Sequence, residues 1–325
     1  MSVLLISWLV VLVDWGDFLD RLKKCDLALL AVVQICLFLF PWLSAVKWRR
    51  LLAIGGLHFR RSRLTRFYLI AGFFNNFLPT SIGGDVVRVL YTTPPRRHGA
   101  DDSSTPMDPT AQPSSLNTAV AAVILERLTG VIALMIICWV AASLSLLFGE
   151  QHAIFGWILL AGSAMIVTYA LASRLLNRLR SFDAFRRIRI PKFLASVAKT
   201  TAAYPVWGKR FRPVWLLSFI FQGAFVLMAG ILTQAIGIEI GLLSLFVIVP
   251  LRTLIMVLPV SLNGLGLGEA AYVVLFTSFG VSPEEGLLMS VVERMLVVPV
   301  SLVGGILYAF EGWPGARNDV HGPGG

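Results

Sequence analysis

Two stretches of this chain place the same kinds of polar residue inside apolar sequence. The first runs Leu78-Pro79-Thr80-Ser81-Ile82-Gly83-Gly84-Asp85, with Glu126-Arg127 further along. The second runs Leu258-Pro259-Val260-Ser261-Leu262-Asn263-Gly264-Leu265-Gly266-Leu267-Gly268-Glu269, with Glu293-Arg294 further along. Carboxylates and guanidinium groups can hold a charged ligand, and proline and glycine free backbone groups that lipid cannot hydrogen-bond. The duplicated pattern predicts a polar binding site within a membrane.

Charged residues within or beside apolar segments are the first candidates for such a site. There are eight of them: Asp85, Arg88, Glu126, Arg127, Arg252, Glu269, Glu293 and Arg294. An arginine, lysine or aspartate at the centre of a membrane helix costs roughly 2.5–3.5 kcal/mol, so such residues tend to face a cavity and to pair. The alternative is that they form buried ion pairs whose only role is to hold the fold together.

The two Glu-Arg pairs constrain which residues can be partners. Neighbouring residues on a helix point about 100° apart and do not face each other. Each member of a pair must therefore find its partner elsewhere. We expect the first pair to meet Asp85, Arg88 or the second pair, and the second pair to do the same around Glu269.

Uncharged residues near the two breaks complete the predicted substrate-binding set. They are Asn75, Asn76, Pro79, Ser81, Gly83, Gly84, Pro259, Ser261, Asn263, Gly264 and Gly266. A side-chain amide can cap a broken helix or bond to a ligand, and glycine permits tight turns and close approach. Gly264-x-Gly266 superficially resembles a dinucleotide loop, but no strand-loop-helix pattern surrounds it, which excludes that interpretation.

The composition indicates an integral membrane protein. Of the 325 residues, 57% are hydrophobic and 14% are charged, whereas soluble domains carry roughly 25% charged residues. A helix needs roughly 20 apolar residues to cross a bilayer, and candidate segments lie at 27–46, 119–148, 153–172, 214–236, 242–258 and 287–310. A shorter apolar run at 3–13 predicts a short first helix. No stretch is left over for a soluble catalytic domain.

Basic residues orient these segments. Seven basic residues and no acid lie between Lys47 and Arg66, and eleven against one acid lie between Arg174 and Arg212. The positive-inside rule predicts that both segments are cytoplasmic. The second segment also contains aromatic residues, which predicts contact with anionic lipids at the cytoplasmic face, unless it serves for orientation alone.

The same orientation predicts the path between the basic segments. Residues 67–91 must start and finish on the cytoplasmic side, so we expect a re-entrant hairpin there. Residues 92–117 are rich in Pro, Ser, Thr and Asp, which predicts a disordered cytoplasmic insertion. The predicted fold is therefore all-α, with six spanning helices plus two re-entrant hairpins, and eight full spans are the alternative.

Aligning the two Leu-Pro-x-Ser breaks predicts an inverted repeat within a single membrane domain. It pairs segments of opposite direction, as in inverted-repeat transporters, whose sites lie near the membrane midplane at broken helices. The predicted halves are 1–148 and 153–310, residues 174–212 form the basic cytoplasmic segment, and 311–325 form a flexible tail. Both termini are predicted to be cytoplasmic.

The residues of both breaks resemble a known family. Phe73-Phe74-Asn75-Asn76-Phe77-Leu78-Pro79-Thr80-Ser81-Ile82-Gly83-Gly84-Asp85-Val86-Val87-Arg88, then Glu126-Arg127, then Pro259 to Gly266 with Glu269, closely resemble the lysylphosphatidylglycerol synthase transmembrane-region family, also called flippase-like domain proteins. The resemblance covers nearly the whole chain. It implies a multi-pass protein of the cytoplasmic (inner) membrane that translocates, or helps to handle, a lipid with a polar or charged head group.

The family also limits what is expected of this chain. Relatives are associated with aminoacylated phospholipids, lipid-linked sugars and hopanoids, and the bifunctional synthases carry a soluble aminoacyl-transferase domain after the membrane region. This chain ends fifteen residues after Phe310, so we expect a stand-alone member without lysyltransferase activity.

Three functions follow from the residues and the resemblance. The first is a lipid flippase or transporter in which the carboxylates contact a cationic group and the arginines contact phosphate. The second is a membrane-embedded lipid-modifying transferase with Asp85 or Glu126 as general base. The third is a scaffold for a neighbouring lipid-modifying enzyme. No His-rich metal cluster, nucleophile motif or nucleotide loop occurs in the sequence, so we expect no metal, no cofactor and no nucleic-acid partner.

The predicted topology can be checked by cysteine labelling. Ser103→Cys and Ser282→Cys would each be made in a background that lacks the three native cysteines. A membrane-impermeant maleimide added outside intact cells should label position 282 and spare position 103, because residues 92–117 are predicted to be cytoplasmic. Labelling at position 103 with protection at position 282 would contradict the topology.

Overall fold

The computed structural model describes most of the apolar part of the chain. The described residues are 16, 20–21, 23–77, 83–93, 115–149, 152, 154–163, 192–257 and 264–312. Throughout these ranges the regular structure is helical, without a strand. The predicted all-α class is therefore confirmed for them.

Helices α1 to α10 follow one another along the chain. Their bounds are Leu27–Ile54 (α1), Arg61–Phe77 (α2), Gly83–Thr92 (α3), Ser115–Leu147 (α4), Ile154–Ser163 (α5), Lys192–Ala202 (α6), Arg212–Ala235 (α7), Leu242–Val257 (α8), Leu267–Thr277 (α9) and Pro283–Glu311 (α10). Helices α1, α4, α7 and α10 are long and apolar enough to cross a membrane.

Those four helices correspond to four of the six predicted spans. The predicted segment 242–258 forms α8, which has 16 residues, and the segment 153–172 is described only as α5. Both are shorter apolar helices. The number of six spans with two re-entrant hairpins therefore stays a prediction.

Helix α1 extends beyond its predicted end at Val46. It begins where Asp26 Oδ1 accepts hydrogen bonds from the backbone N–H groups of Ala28 and Leu29, at 2.8 and 3.2 Å, which is the geometry of an N-cap. It ends at Ile54, before Gly56 with a φ of 88°. Lys47, the first residue of the predicted basic segment, therefore lies inside α1, because the apolar face continues past it through fully buried Trp48.

Local sequence explains where α10 begins. Ser282 Oγ accepts from the backbone N–H of Glu285 at 3.3 Å, and the Glu285 carboxylate accepts from the backbone N–H of Ser282 at 3.0 Å. This reciprocal capping box satisfies two donors that a helix start leaves open, and Pro283 suits the first helical position.

Each predicted break lies between two helices that pack against each other. Helix α2 packs on α3, and α8 packs on α9. Gly84 permits the first close approach, because a Cβ there would collide with the carbonyl oxygen of Ala71 and with Asn75. The residues between the helices, 78–82 and 258–263, lie outside the described residues.

The chain divides into two compact units. The Asp85 unit comprises Leu37–Thr129, Lys192–Leu217 and Val297–Gly325, and the Glu269 unit comprises Met1–Cys36, Gly130–Pro191 and Ser218–Leu296. Each unit contains one packed helix pair, α2 with α3 or α8 with α9. The units are interleaved along the chain, and the predicted division into halves 1–148 and 153–310 stays a prediction.

Each unit has its own apolar core. In the Asp85 unit, α1, α2 and α4 pack through buried residues that include Trp48, Leu52, Phe67, Ala121 and Leu125. In the Glu269 unit, the buried residues Cys138, Ala141, Ala142, Phe155 and Val247 pack together. These contacts hold α1, α2 and α4 together in the Asp85 unit and α4, α5 and α8 together in the Glu269 unit.

Helical structure reaches both ends of the predicted insertion at 92–117. Thr92 ends α3, and Ser115 begins α4, where the Asn117 side chain donates to Ser196 Oγ at 2.6 Å. Residues 94–114 of the insertion, 164–172 of the predicted span 153–172, 174–191 of the basic segment and 313–325 of the tail lie outside the described residues.

Replacing Gly84 tests the close packing of α2 on α3. Gly84→Val should lower the free energy of unfolding by about 1–3 kcal/mol, because the added atoms meet backbone that cannot move aside. The measurement is thermal unfolding of the purified protein in detergent. Gly72→Val is the control, since a Cβ at Gly72 meets nothing within 4 Å. Equal unfolding temperatures for the two variants would contradict this packing.

Candidate functional site

Arg88 lies between two carboxylates in the Asp85 unit. Its Nη1 donates to Glu126 Oε2 at 2.6 Å, and its Nη2 donates to Asp85 Oδ1 at 2.5 Å. Arg127 Nε donates to Asp85 Oδ2. Asp85 and Arg88 lie one turn apart on α3, whereas Glu126 and Arg127 lie on α4. The four residues form one ion-pair network between these helices, which we call the Asp85 cluster.

Aromatic rings enclose the Arg88 guanidinium group. Its Cζ lies 4.6 Å from the ring centroid of Tyr68 and 5.1 Å from that of Trp48. Tyr68 Oη also donates to Glu126 Oε1 at 3.0 Å. Cation–π contacts gain strength where the cation is desolvated, and the Arg88 side chain is only 4% exposed. Tyr68 and Trp48 therefore belong to the cluster, although neither was among the predicted site residues.

Lys47, which was predicted to lie in the first basic cytoplasmic segment, is a further member of the cluster. Its Nζ donates to the main-chain oxygen of Glu126 at 2.8 Å, and the residue is 7% exposed. With Lys47 the cluster contains three cations, on Lys47, Arg88 and Arg127, and two carboxylates. It therefore carries one excess positive charge. The apolar residues that follow Lys47 were the signal that could have placed it inside a helix.

The two asparagines before the first break make contacts within the Asp85 unit. Asn75 Oδ1 accepts from the backbone N–H of Gly84 at 2.8 Å, so this amide caps the start of α3. Asn76 Nδ2 donates to Ser301 Oγ on α10. Gly83 begins α3. Pro79 and Ser81 lie outside the described residues.

The Glu269 unit contains a second network of the same residue types. Arg294 Nη2 pairs with Glu269 Oε1 at 2.8 Å, and Arg252 Nη1 pairs with Glu293 Oε1 at 3.0 Å. The Arg252 Cζ lies 4.5 Å from the ring centroid of Tyr272. These five residues, on α8, α9 and α10, form the Glu269 cluster. No partner was predicted for Arg252, and the structure gives it Glu293.

Several buried polar atoms of the Glu269 cluster lack hydrogen-bond partners within the described part of the chain. They are Glu269 Oε2, Glu293 Oε2, Arg252 Nε and Arg294 Nε. The Tyr272 hydroxyl faces the Glu293 carboxylate without a hydrogen bond of good geometry. A buried polar group without a partner costs about 1–3 kcal/mol. This cluster can therefore bind a group that brings its own donors and acceptors.

The turn before Glu269 depends on glycine. Gly264 and Gly266 have φ angles of 70° and 79°, a conformation that other residues rarely adopt. Pro259, Ser261 and Asn263, which precede this turn, lie outside the described residues.

Each Glu-Arg pair finds its partners near its own Leu-Pro-x-Ser break. Glu126 and Arg127 meet Arg88 and Asp85, and the second pair meets Arg252 and Glu269. The first pair was expected to meet Asp85, Arg88 or the second pair, and the structure shows its contacts with Asp85 and Arg88. Within the described ranges, no group of three His, Cys, Asp or Glu is placed to hold a metal ion.

Four long apolar helices and two buried charge clusters define a multi-pass helical membrane protein. Residues 1–304 match the family described as Lysylphosphatidylglycerol synthase TM region, and the chain belongs to that family. This confirms the resemblance that the two breaks indicated. No match to an individual curated protein is found.

Removing the Arg88 guanidinium tests the role of the Asp85 cluster in the fold. Arg88→Met leaves the buried Glu126 and the partly buried Asp85 with less positive charge, and should lower the free energy of unfolding by about 3–5 kcal/mol. Thermal unfolding in detergent measures the loss. Arg66→Met is the control, because Arg66 pairs with Glu311 at 2.5 Å but is 48% exposed, and exposed pairs contribute about 0–1 kcal/mol. Equal losses would contradict a buried network.

Proposed function

We propose that this protein is a lipid flippase or transporter that binds a lipid with a polar or charged head group and moves it across the cytoplasmic membrane. Membership of the family supports a lipid-related function in a membrane. The observation that carries the proposal is the pair of buried charge clusters, since charge is costly in an apolar setting and usually serves a polar ligand or pathway there.

The Asp85 cluster suits the phosphate of such a lipid. Both oxygens of Asp85 accept from arginines, and both oxygens of Glu126 accept from Arg88 and Tyr68. Every carboxylate oxygen of the cluster thus accepts a hydrogen bond, and the excess positive charge that Lys47 brings is available to bind an anion. Arg127 is 51% exposed, so a head group can reach the cluster at this residue, and its planar fork of donors matches phosphate oxygens.

The Glu269 cluster suits the donor groups of a lipid head group. Glu269 and Glu293 are 9% and 8% exposed, and each has a carboxylate oxygen that no described residue bonds. Ammonium or hydroxyl groups of a head group would satisfy these oxygens. The two clusters would therefore contact opposite kinds of group.

In this proposal the two helix pairs are re-entrant hairpins of an inverted repeat. Their ends carry the clusters near the membrane midplane, and the acyl chains stay in the bilayer. Exposed aliphatic residues on α4 and α10, among them Ile132, Ile136, Leu302 and Ile306, are suited to contact lipid. Both termini and the basic segment 174–212 would be cytoplasmic, with anionic lipids against that segment.

A transferase with Asp85 or Glu126 as general base is less well supported. A base needs a free oxygen within reach of a substrate proton. Both carboxylates instead accept from arginines or Tyr68 at each oxygen. The occupied carboxylates favour binding over proton abstraction.

Lipid movement in reconstituted vesicles tests the proposal. The probe is a fluorescent phosphatidylglycerol, and the readout is its accessibility to an impermeant quencher. Lys47→Met, Arg127→Gln and Glu126→Gln should each slow movement about tenfold or more, since hydrogen bonds to charged groups contribute about 1.5–3 kcal/mol.

Glu311→Gln is the matched control, because Glu311 forms an ion pair in the same unit but outside the cluster; it should keep the wild-type rate. Equal rates for the wild type and the three cluster variants would reject the function. Folded cluster variants that keep the rate but lose a co-purifying lipid-modifying enzyme would favour the scaffold.

A further inference from the structure

The two clusters place arginine and tyrosine at exchanged positions. Tyr68 lies seventeen residues before Asp85, and Arg88 lies three residues after it. In the other copy Arg252 lies seventeen residues before Glu269, and Tyr272 lies three residues after it. The helix before the break thus supplies tyrosine in one unit and arginine in the other.

The geometry of the pair is the same despite the exchange. The arginine Cζ lies 4.6 Å from the Tyr68 ring centroid in the Asp85 unit and 4.5 Å from the Tyr272 ring centroid in the Glu269 unit. In both units the stacked arginine binds the glutamate of the Glu-Arg pair. In both units the arginine of that pair binds the acid that follows the break.

The packing of the helix pairs explains why such an exchange is possible. Residues three positions apart lie on the same face of a helix. The residue three positions after the acid therefore shares the acid's face of the helix and faces the neighbouring helix. Because α2 packs on α3 and α8 packs on α9, a residue on the helix before the break can meet it. The arginine can therefore lie on the helix before the break or on the helix after it, with the tyrosine on the other helix.

A chance contact between a buried arginine and a tyrosine explains one such stack. It does not explain two stacks with equal sequence spacings, ring distances of 4.6 and 4.5 Å, and in each case an ion pair with the glutamate of the Glu-Arg pair. Among the described residues, Trp48 adds a second ring to Arg88 and none adds a second ring to Arg252, so the feature that both clusters share is the tyrosine.

We propose that Tyr68 and Tyr272 are positioning residues of one arginine–tyrosine device that occurs twice, with its two members exchanged between helices. The tyrosine ring fixes the plane of the guanidinium group, and this directs the arginine at the glutamate of the Glu-Arg pair. The effect on lipid movement rests on the function proposed above, whereas the effect on folding does not.

Exchanging the two residues within one unit tests the proposal. Tyr68→Arg and Arg88→Tyr should each slow lipid movement about tenfold or more, because each destroys the stack and alters the buried charge. The double variant Tyr68→Arg/Arg88→Tyr reproduces the arrangement of the Glu269 cluster with the charge restored. It should regain a rate within about threefold of the wild type. The probe is the same fluorescent phosphatidylglycerol in vesicles.

Thermal unfolding of the same three variants in detergent is a readout that needs no transport. The double variant should unfold above both single variants, and the corresponding exchange Arg252→Tyr/Tyr272→Arg should behave alike in the Glu269 unit. The proposal would be overturned if, in both units, the double variant were no more stable than the less stable of its two single variants. If the wild type moves no lipid, the proposed function fails, but the unfolding data still test whether the arginine–tyrosine device exists.

Two substitutions of Tyr272, one that keeps the aromatic ring and one that removes it, test whether the ring positions the guanidinium group or only fills space. Tyr272→Phe keeps the ring and should keep the rate within about threefold, whereas Tyr272→Leu should slow it about tenfold by freeing the guanidinium group. Tyr91→Leu is the control, because Tyr91 lies in the same helix as Arg88 and its ring packs against Phe67 outside the cluster. Equal rates for the Phe and Leu variants at Tyr272 would contradict a positioning role.

Discussion

The ion pairs of Arg88 are the interaction on which the Asp85 unit depends. One guanidinium group joins Asp85 on its own helix to Glu126 on α4, and the ring of Tyr68 on α2 lies against its face. Residues of α2, α3 and α4 therefore all contact the one guanidinium group of Arg88. An unpaired ion in an apolar interior is far more costly than a paired one, so the helices cannot separate without exposing both carboxylates.

The surrounding structure follows from keeping these helices close. Gly84 lets α3 approach α2, and the Asn75 amide satisfies a backbone donor that the break leaves open at the start of α3. On α10, Gly304 and Gly305 would collide with Leu69 or Phe73 of α2 if they carried a Cβ. Small residues thus permit close helix contacts where membrane helices gain most from dispersion.

The two clusters share their connections but differ in what they offer to a ligand. Lys47 gives the Asp85 cluster an excess cation beside fully bonded carboxylates. The Glu269 cluster is neutral, and its carboxylates keep oxygens without a described donor. The Asp85 cluster therefore suits an anionic group, whereas the Glu269 cluster suits a group that donates hydrogen bonds.

The sequence by itself determined the membrane class, four helices long and apolar enough to cross a membrane, the family and the residues whose charges need partners. Composition and the length of apolar runs decide these properties, because lipid admits few alternatives. Only the tertiary structure decided that Lys47 is buried, that Arg252 binds Glu293, and that arginine and tyrosine are exchanged between the clusters. Pairing between residues far apart in the chain depends on how the helices pack, and local sequence does not encode which side chains then face each other.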